Sequence, residues 1–348
     1  MEAGKRNNKP VFSIVMPVYN AEKYLQKSLS SILNQAFSDF ELVLVNDASS
    51  DRSFAICKEF AGLDCRIALI ESKVNCGAAG ARNLGIRTAK GRYLCFVDAD
   101  DYIELDFLTR FYDALQEGDF DFVKCGAYEE YYGKEEKLLY SRSCCLPEKE
   151  YRGTQEITEQ VIDMERIPLF GYIWNGVYRM SAVKGNGLWF DRSLKVNEDF
   201  AFNINYLPFV AKMKCLSYCG YHYAKRNSDS LSSTNKNYDY ETHLMKIRGL
   251  LTLLRNNQME TPANLDKVYW MFTRFTLSAL EAGTSLETIR KEEIFARYLK
   301  HRFGPLEIKK KVLTGILQSD NVLMIKPAVC LIGFIKQNLP VVFAKVKK

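Results

Sequence analysis

Short apolar runs alternate with amphipathic stretches over the first hundred residues. Val11–Met16 (VFSIVM) is a β-rich run ended by Pro17 and Asn20. From Glu22 to about Gln35, Leu25, Leu29, Ile32 and Leu33 recur at helical spacing. Phe40–Val45 (FELVLV) predicts a second strand, and Ser50–Phe60 a helix opened by a Ser/Asp cap. A strand over Arg66–Ile70, a helix over Ala78–Lys90 and a strand over Tyr93–Val97 complete the series. Such alternation predicts right-handed βαβ units, hence an α/β fold with a mostly parallel sheet flanked by helices. Ligands on these sheets bind beyond the carboxyl ends of the strands. That rule singles out four loops, 17–20, 46–51, 71–77 and 98–101.

Past Ile103 the pattern loosens. Leu105–Glu117 reads as a helix and Phe120–Tyr128 as a strand, whereas 129–152 is polar and reads as irregular. Residues 166–235 suggest short strands and loops around one helix near Glu198–Tyr206. From about Tyr238 the chain reads as helical, which puts a boundary near 236. The expected organisation is a flexible tail over 1–10, a catalytic domain over 11–235 and a helical C-terminal region over 236–348.

Composition narrows the function. With 348 residues, 47% hydrophobic and 26% charged, the chain builds cores and is neither disordered nor fibrous. A net charge of +6 is too thin for a nucleic-acid binder, so no nucleic-acid partner is expected. The ten cysteines contain no Cys-x-x-Cys pair, and the N-terminus is polar, which suits a reducing cytoplasm. No run of eighteen apolar residues predicts a spanning helix. Residues 321–348 nevertheless combine apolar side chains with five lysines and no acid. That composition suits a peripheral, interfacial segment on an anionic membrane face, or a terminal helix packed on the protein.

The four loops carry the chemistry. Asp98-Ala-Asp-Asp101 puts three carboxylates in four residues at a strand end, more than a helix cap needs. Mn2+ or Mg2+ would relieve their repulsion, taking one or two carboxylates and completing its shell with phosphate oxygens. Asp47 follows a buried-looking strand, where it can accept from a base or ribose or form a turn with Ser49 and Asp51. Arg82 lies in the helix opened by Gly77-Ala-Ala-Gly80, where the helix N-terminus and the guanidinium both favour phosphate.

Pro17-Val-Tyr-Asn20, Asn46-Asp-Ala-Ser-Ser-Asp51, Asn75-Cys-Gly-Ala-Ala-Gly-Ala-Arg-Asn-Leu-Gly85 and Asp98-Ala-Asp-Asp101, in this order, resemble glycosyltransferase family 2. The resemblance thins out to about residue 232, through Trp174-Asn-Gly-Val-Tyr-Arg179, Asn197-Glu-Asp-Phe200 and the run from Tyr221 to Ser232. Many members read Trp-x-Lys-x-Tyr at the first of these; Gly176 stands at the lysine position, so no charge-based role is assigned there.

The resemblance implies a Rossmann-like GT-A fold and an inverting transferase that uses a nucleotide-diphosphate sugar. Residues 11–105 would be its nucleotide-binding half and 106–235 its acceptor half. Pro17, Tyr19 and Asn20 would border the nucleoside, Asp47 would contact the base, and Asn75, Gly77 and Arg82 would line the nucleotide pocket. Asp98 would bind ribose or help hold the metal, and Asp100 would be the principal metal ligand. Asp199, opening a helix, would be the base that deprotonates the acceptor hydroxyl. Glu198 competes for that role, or orients the acceptor, or caps the helix. Trp174 stacks on a sugar or is core; His222 reaches metal or diphosphate or is structural. Lys225 and Arg226, with Ser230 and Ser232, suit a mobile loop that clamps diphosphate, or a solvated basic loop.

The expected reaction moves one sugar from a UDP-sugar to a glycan or lipid-linked oligosaccharide in bacterial surface polysaccharide assembly. Two other classes stay open: a sugar-phosphate nucleotidyltransferase and a non-catalytic module of a polysaccharide-assembly complex.

Overall fold

The computed structural model describes residues 9–226 and 240–338. The expected N-terminal tail (residues 1–8 of it), Ser230 and Ser232 of the clamp loop, and the final lysines 345, 347 and 348 lie outside these residues. The chain divides into two compact units, Met1–Ser230 and Leu231–Lys348.

The first unit opens with the expected alternation: β1 (Phe12–Val18), α1 (Leu25–Leu33), β2 (Phe40–Asp47), α2 (Ser53–Leu63), β3 (Ile67–Ser72), α3 (Gly77–Thr88) and β4 (Tyr93–Phe96). β2 pairs with β3, and β1 with β2 and β4, all in parallel, so the four strand ends lie side by side. Strands covered on both faces need apolar residues at successive positions, which is why they read as continuous runs. α1 turns Leu25, Leu29 and Ile32 inward at the helical period. α2 starts three residues later than its sequence suggests, because Asp51 Oδ1 accepts from Ser53 N (2.9 Å) in a local turn. Gly85 lets α3 press on the sheet: a Cβ there would lie 2.3 Å from Val15 Cγ1.

The chain continues through β5 (Tyr102–Ile103), α4 (Phe107–Glu117), β6 (Phe122–Tyr132), β7 (Leu138–Cys144), β8 (Lys149–Arg152), α5 (Gly153–Arg166), β9 (Gly176–Arg179), α6 (Met180–Gly185), α7 (Glu198–Tyr206) and β10 (Lys212–Arg226). The sheet order is β3-β2-β1-β4-β9-β6-β10-β5, with β7 beside β6 and β8 beside β10. The result is a mixed α/β fold whose mostly parallel central sheet is flanked by helices.

Residues 129–152 are not irregular. β6 runs on to Tyr132 and β7 folds back antiparallel to it. Glu129 and Glu130 are buried there at 3% and 4% exposure. Lys225 and Arg142 pair with Glu129, and Tyr102, Tyr132 and His222 bond Glu130. Paired charges thus hold a strand that hydropathy alone reads as loop. Residues 166–235 likewise hold more than short strands, since β10 extends for 15 residues along β6.

The second unit contains α8 (Tyr240–Asn256), α9 (Pro262–Glu281), α10 (Leu286–Arg290), α11 (Glu293–Lys300), α12 (Ile308–Gln318) and α13 (Val322–Asn338). Thr261 caps α9 by accepting from Asn264 N, with Pro262 in the first turn. Among the described residues no helix is long and apolar enough to cross a membrane.

Candidate active site

The loops after β1 and β2 brace each other. Asn20 Oδ1 accepts from Ser50 N (2.8 Å), and Asn20 N donates to Ser49 Oγ (3.2 Å). Asn20 and Ala48 both take left-handed backbone, at φ 48° and 57°. Pro17 does not end β1 but pairs with Val45 inside it, one residue before the strand stops at Val18, and Tyr19 stands 51% exposed beside the braced loops. Asp47 is buried at the end of β2, where its Oδ1 accepts from Cys76 N and Cys76 Sγ, each at 2.8 Å. Asn75 Oδ1 accepts from Gly77 N (2.9 Å), and Gly77 turns the chain into α3 at φ +73°, which glycine alone adopts without strain.

Arg82 is the hub. Arg82 is 4% exposed, and its guanidinium faces three carboxyl groups from two parts of the chain. Nη1 donates to Glu198 Oε1 and Asp199 Oδ1, and Nη2 to Asp98 Oδ1, each at 2.9 Å. Its charge is therefore engaged within the protein rather than presented free at the start of α3. Burial works against that charge, yet Asp199, Asp98 and Glu198 together hold it above its ordinary proton affinity. Burial also pushes the Asp199 carboxyl up to about 8; Arg82 opposes the rise, and Glu198 and Asp98 add to it. Glu198 and Asp199 occupy the first turn of α7, where the helix dipole favours acidic groups.

The acidic run after β4 splits by role. Asp98 binds Arg82. Asp100 keeps 47% of its side chain exposed, 3.7 Å from Arg226, which also donates to the Asp100 carbonyl (3.0 Å). Burial of the remainder, then Asp98, push the Asp100 carboxyl up to about 6, with Arg226 opposing. Asp101 turns away and is buried, accepting from Tyr221 Oη and Ala224 N at 2.8 Å. Among the described residues no three acidic, His or Cys side chains converge as a metal site. Two carboxylates, Asp98 and Asp100, remain as candidate ligands.

Arg226 is held by Glu136 (2.8 Å) and lies over the Tyr24 ring at 3.8 Å. Lys225 bonds Glu129 (2.6 Å) instead of joining it at Asp100. His222 is structural in this arrangement: its two nitrogens meet Glu130 and Glu104 at 2.8 and 2.9 Å. Tyr102 and Tyr128 stack on its ring. Trp174 is 2% exposed and stacks on Tyr172 and Tyr221, so almost none of its surface is open to a sugar. It packs instead behind Tyr221, whose Oη accepts from Asp98 N (3.1 Å) as well as donating to Asp101. Tyr221, Glu136 and Cys76 were not singled out as site residues in the sequence. Cys76, set between Asn75 and Gly77, and Tyr221, at the head of the run to Ser232, carried a positional signal, and Glu136 carried none.

A family model described as Glycosyl transferase family 2 matches residues 13–178. The chain is 32% identical over 240 residues to the uncharacterized glycosyltransferase EpsJ of Bacillus subtilis (strain 168), covering 68% of this chain and 67% of that protein. It is 27% identical over 266 residues to the minor teichoic acid biosynthesis protein GgaB of the same organism, spanning 73% of this chain but only 28% of GgaB. The fold matches residues 1–349 of S. aureus TarS, solved with UDP-GlcNAc, at a TM-score of 0.62 and 20% identity, covering 90% of this chain and 88% of that one. The chain belongs to glycosyl transferase family 2 and has the GT-A fold; it is a glycosyltransferase. That sets aside both the nucleotidyltransferase and the non-catalytic module.

Proposed function

We propose that this glycosyltransferase moves a single sugar, with inversion, from a UDP-sugar to a glycan or lipid-linked acceptor of a bacterial surface polysaccharide. The observation that carries the reading is the Arg82 cluster. It sets Asp199, a carboxyl with raised proton affinity, beside the Asp98–Asp100 loop at the ends of the parallel strands. A base that must take a proton from an alcohol works best with an affinity near the operating pH.

In this reading the acceptor oxygen attacks the anomeric carbon while the bond from that carbon to the diphosphate oxygen breaks. Asp199 receives the hydroxyl proton, and the nucleoside diphosphate leaves with the bonding pair. Arg82 holds Asp199 in place, and Glu198, on the same Nη1, orients the acceptor. Asp47, the braced Pro17–Asn20 segment, and Asn75 with Gly77 receive the nucleoside. Arg226 meets the diphosphate. The UDP-sugar assignment draws on the ligand of TarS, and the acceptor class on the process for which GgaB is named.

Asp98 and Asp100 fit Mn2+ or Mg2+. They are adjacent hard oxygen donors, one half exposed, and Asp100 is raised toward neutrality in a way that a cation reverses. The cation would act as a Lewis acid that neutralises the departing diphosphate. Peripheral attachment to the inner face of the cell membrane completes the reading. It is supported by the exposed Leu323, Met324 and Leu331 beside Lys326 on α13.

The test is UDP release by the purified protein across a panel of UDP-sugars, with Mn2+ or EDTA. Metal-dependent hydrolysis of one donor, lost in Asp100→Ala and in Asp199→Ala that still binds UDP, supports the reading. Silence with every UDP-, GDP- and dTDP-sugar overturns it.

A further inference from the structure

A second buried cation lies outside the cluster around Arg82. Lys124, the third residue of β6, has no exposed surface. Its Nζ donates to the carbonyls of Phe170 (3.2 Å) and Tyr172 (2.6 Å). Those same carbonyls accept from Nδ2 of Asn203, at 2.6 and 3.0 Å. Asn203 lies four residues after Asp199 on α7, so the two side chains share one face of the helix. Its Oδ1 accepts from Tyr178 Oη of β9 (2.7 Å), which leaves the amide no freedom to turn. A short stretch of chain, 170–172, is thus gripped from the sheet by Lys124 and from the helix of the proposed base by Asn203.

Space for the lysine comes from across the sheet. Lys124 is paired with Gly176 in the antiparallel register of β6 and β9. A Cβ at 176 would stand 3.1 Å from Phe122 Cε2 and 3.4 Å from Lys124 Cε. Position 176 is where the Trp-x-Lys-x-Tyr pattern has its lysine. Here that position is vacant of side chain, and an ammonium reaches the same layer from the neighbouring strand. Burial pushes this ammonium down to about 7, a cost that a purely packing residue would avoid. Methionine would fill the space equally well but would leave the two carbonyls held from the Asn203 side alone.

We propose that Lys124 is a positioning residue for glycosyl transfer: its amine fixes the 170–172 carbonyls that Asn203 holds, and through them sets α7 and Asp199 against Arg82. The proposal rests on the reading of Asp199 as the base. Lys124 touches neither Asp47, Asp98 nor Asp100, so donor binding does not depend on it.

The experiment compares Lys124→Met with the double variant Lys124→Ala/Gly176→Lys, which returns an amine from the opposite strand. Steady-state kinetics on the donor that wild type hydrolyses give kcat and KM separately. Lys124→Met should lose about tenfold or more in kcat, with donor KM unchanged within about twofold. The double variant should recover to within about threefold of wild-type kcat. Wild-type kcat in Lys124→Met overturns the proposal, and so does a loss shared by kcat and KM. If Lys124→Met fails to fold, the double variant decides: folded and active it supports the proposal, folded and as slow as about a tenth of wild type it overturns it. A wild-type protein that turns over no nucleotide-sugar sinks the transferase chemistry itself, before any variant is compared.

Discussion

Arg82 and Asp199 meet at 2.9 Å although 117 residues separate them in sequence. Glu198 shares the same Nη1, and Asp98 takes Nη2, so one guanidinium ties α3, the end of β4 and the start of α7 together. Substituting Arg82 by Met leaves three carboxyl groups facing one another with no counter-charge. Removing one partner of a buried ion pair costs about 3–5 kcal/mol. A loss of that size is expected in urea unfolding of Arg82→Met. Arg82→Lys should recover only part of it, because an ammonium cannot reproduce the fork. An unfolding midpoint equal to wild type in Arg82→Met would show that the cluster contributes nothing to stability.

The raised carboxyl of Asp199 predicts the pH dependence of stability. In the folded protein it is up to about 8 and Asp100 up to about 6, while an unfolded Asp titrates near ~3.9. Between about pH 5 and 7 the folded state therefore binds more protons than the unfolded state, and stability falls as pH rises. Lys124, pushed down to about 7, acts in the opposite direction but only above that window. Urea midpoints in EDTA at about pH 5, 6 and 7 should decline, and Asp199→Asn should flatten the slope. A midpoint that climbs with pH would contradict the assignment.

Asp100 separates function from stability. Its carboxyl is crowded by Asp98, and among the described residues no side chain donates a hydrogen bond to it at short range; Arg226 stands 3.7 Å away. Asp100→Asn should be at least as stable as wild type in EDTA. Its kcat/KM should drop by at least about 100-fold, beyond what loss of a supporting partner of a metal ligand costs. Thermal unfolding beside the UDP-release assay reads both, and a destabilised variant would argue for a structural aspartate.

Tyr221 carries the Asp98–Asp101 loop on a single oxygen. In Tyr221→Phe the amide of Asp98 and the buried carboxyl of Asp101 each lose a partner. The expected cost is about 1–3 kcal/mol per unsatisfied group, visible as a lower unfolding midpoint. Donor turnover should fall with it, since the loop that carries the proposed ligands Asp98 and Asp100 is displaced. Normal stability in Tyr221→Phe would mean that water replaces the hydroxyl.

The parallel half of the sheet was legible because strands covered on both faces need unbroken apolar runs such as VFSIVM and FELVLV. Their ends gave the four loops, and the structure brings all four together. What the chain concealed depends on pairing across long distances. Glu129 and Glu130 read as loop until Lys225, Arg142 and His222 neutralise them from other strands. Arg82 reads as a phosphate ligand until Asp98, Glu198 and Asp199 appear around it. Trp174 and His222 drew attention as rare residue types, yet stacking by tyrosines makes them part of the scaffold. Lys124 gave no signal, because nothing local distinguishes a lysine above an absent side chain.

The cluster around Arg82 also sets an order of events during synthesis. When the chain has been made only as far as α6, β1 to β4 and α3 are present, but two of the three partners of the guanidinium are not. The amino-terminal half must then keep that side chain in water or bury it undercompensated. Either choice weakens the early sheet until residues 198 and 199 arrive. A ribosome-tethered fragment ending before α7 should therefore remain protease-sensitive over α3, and lengthening it past Tyr206 should close the half in one step.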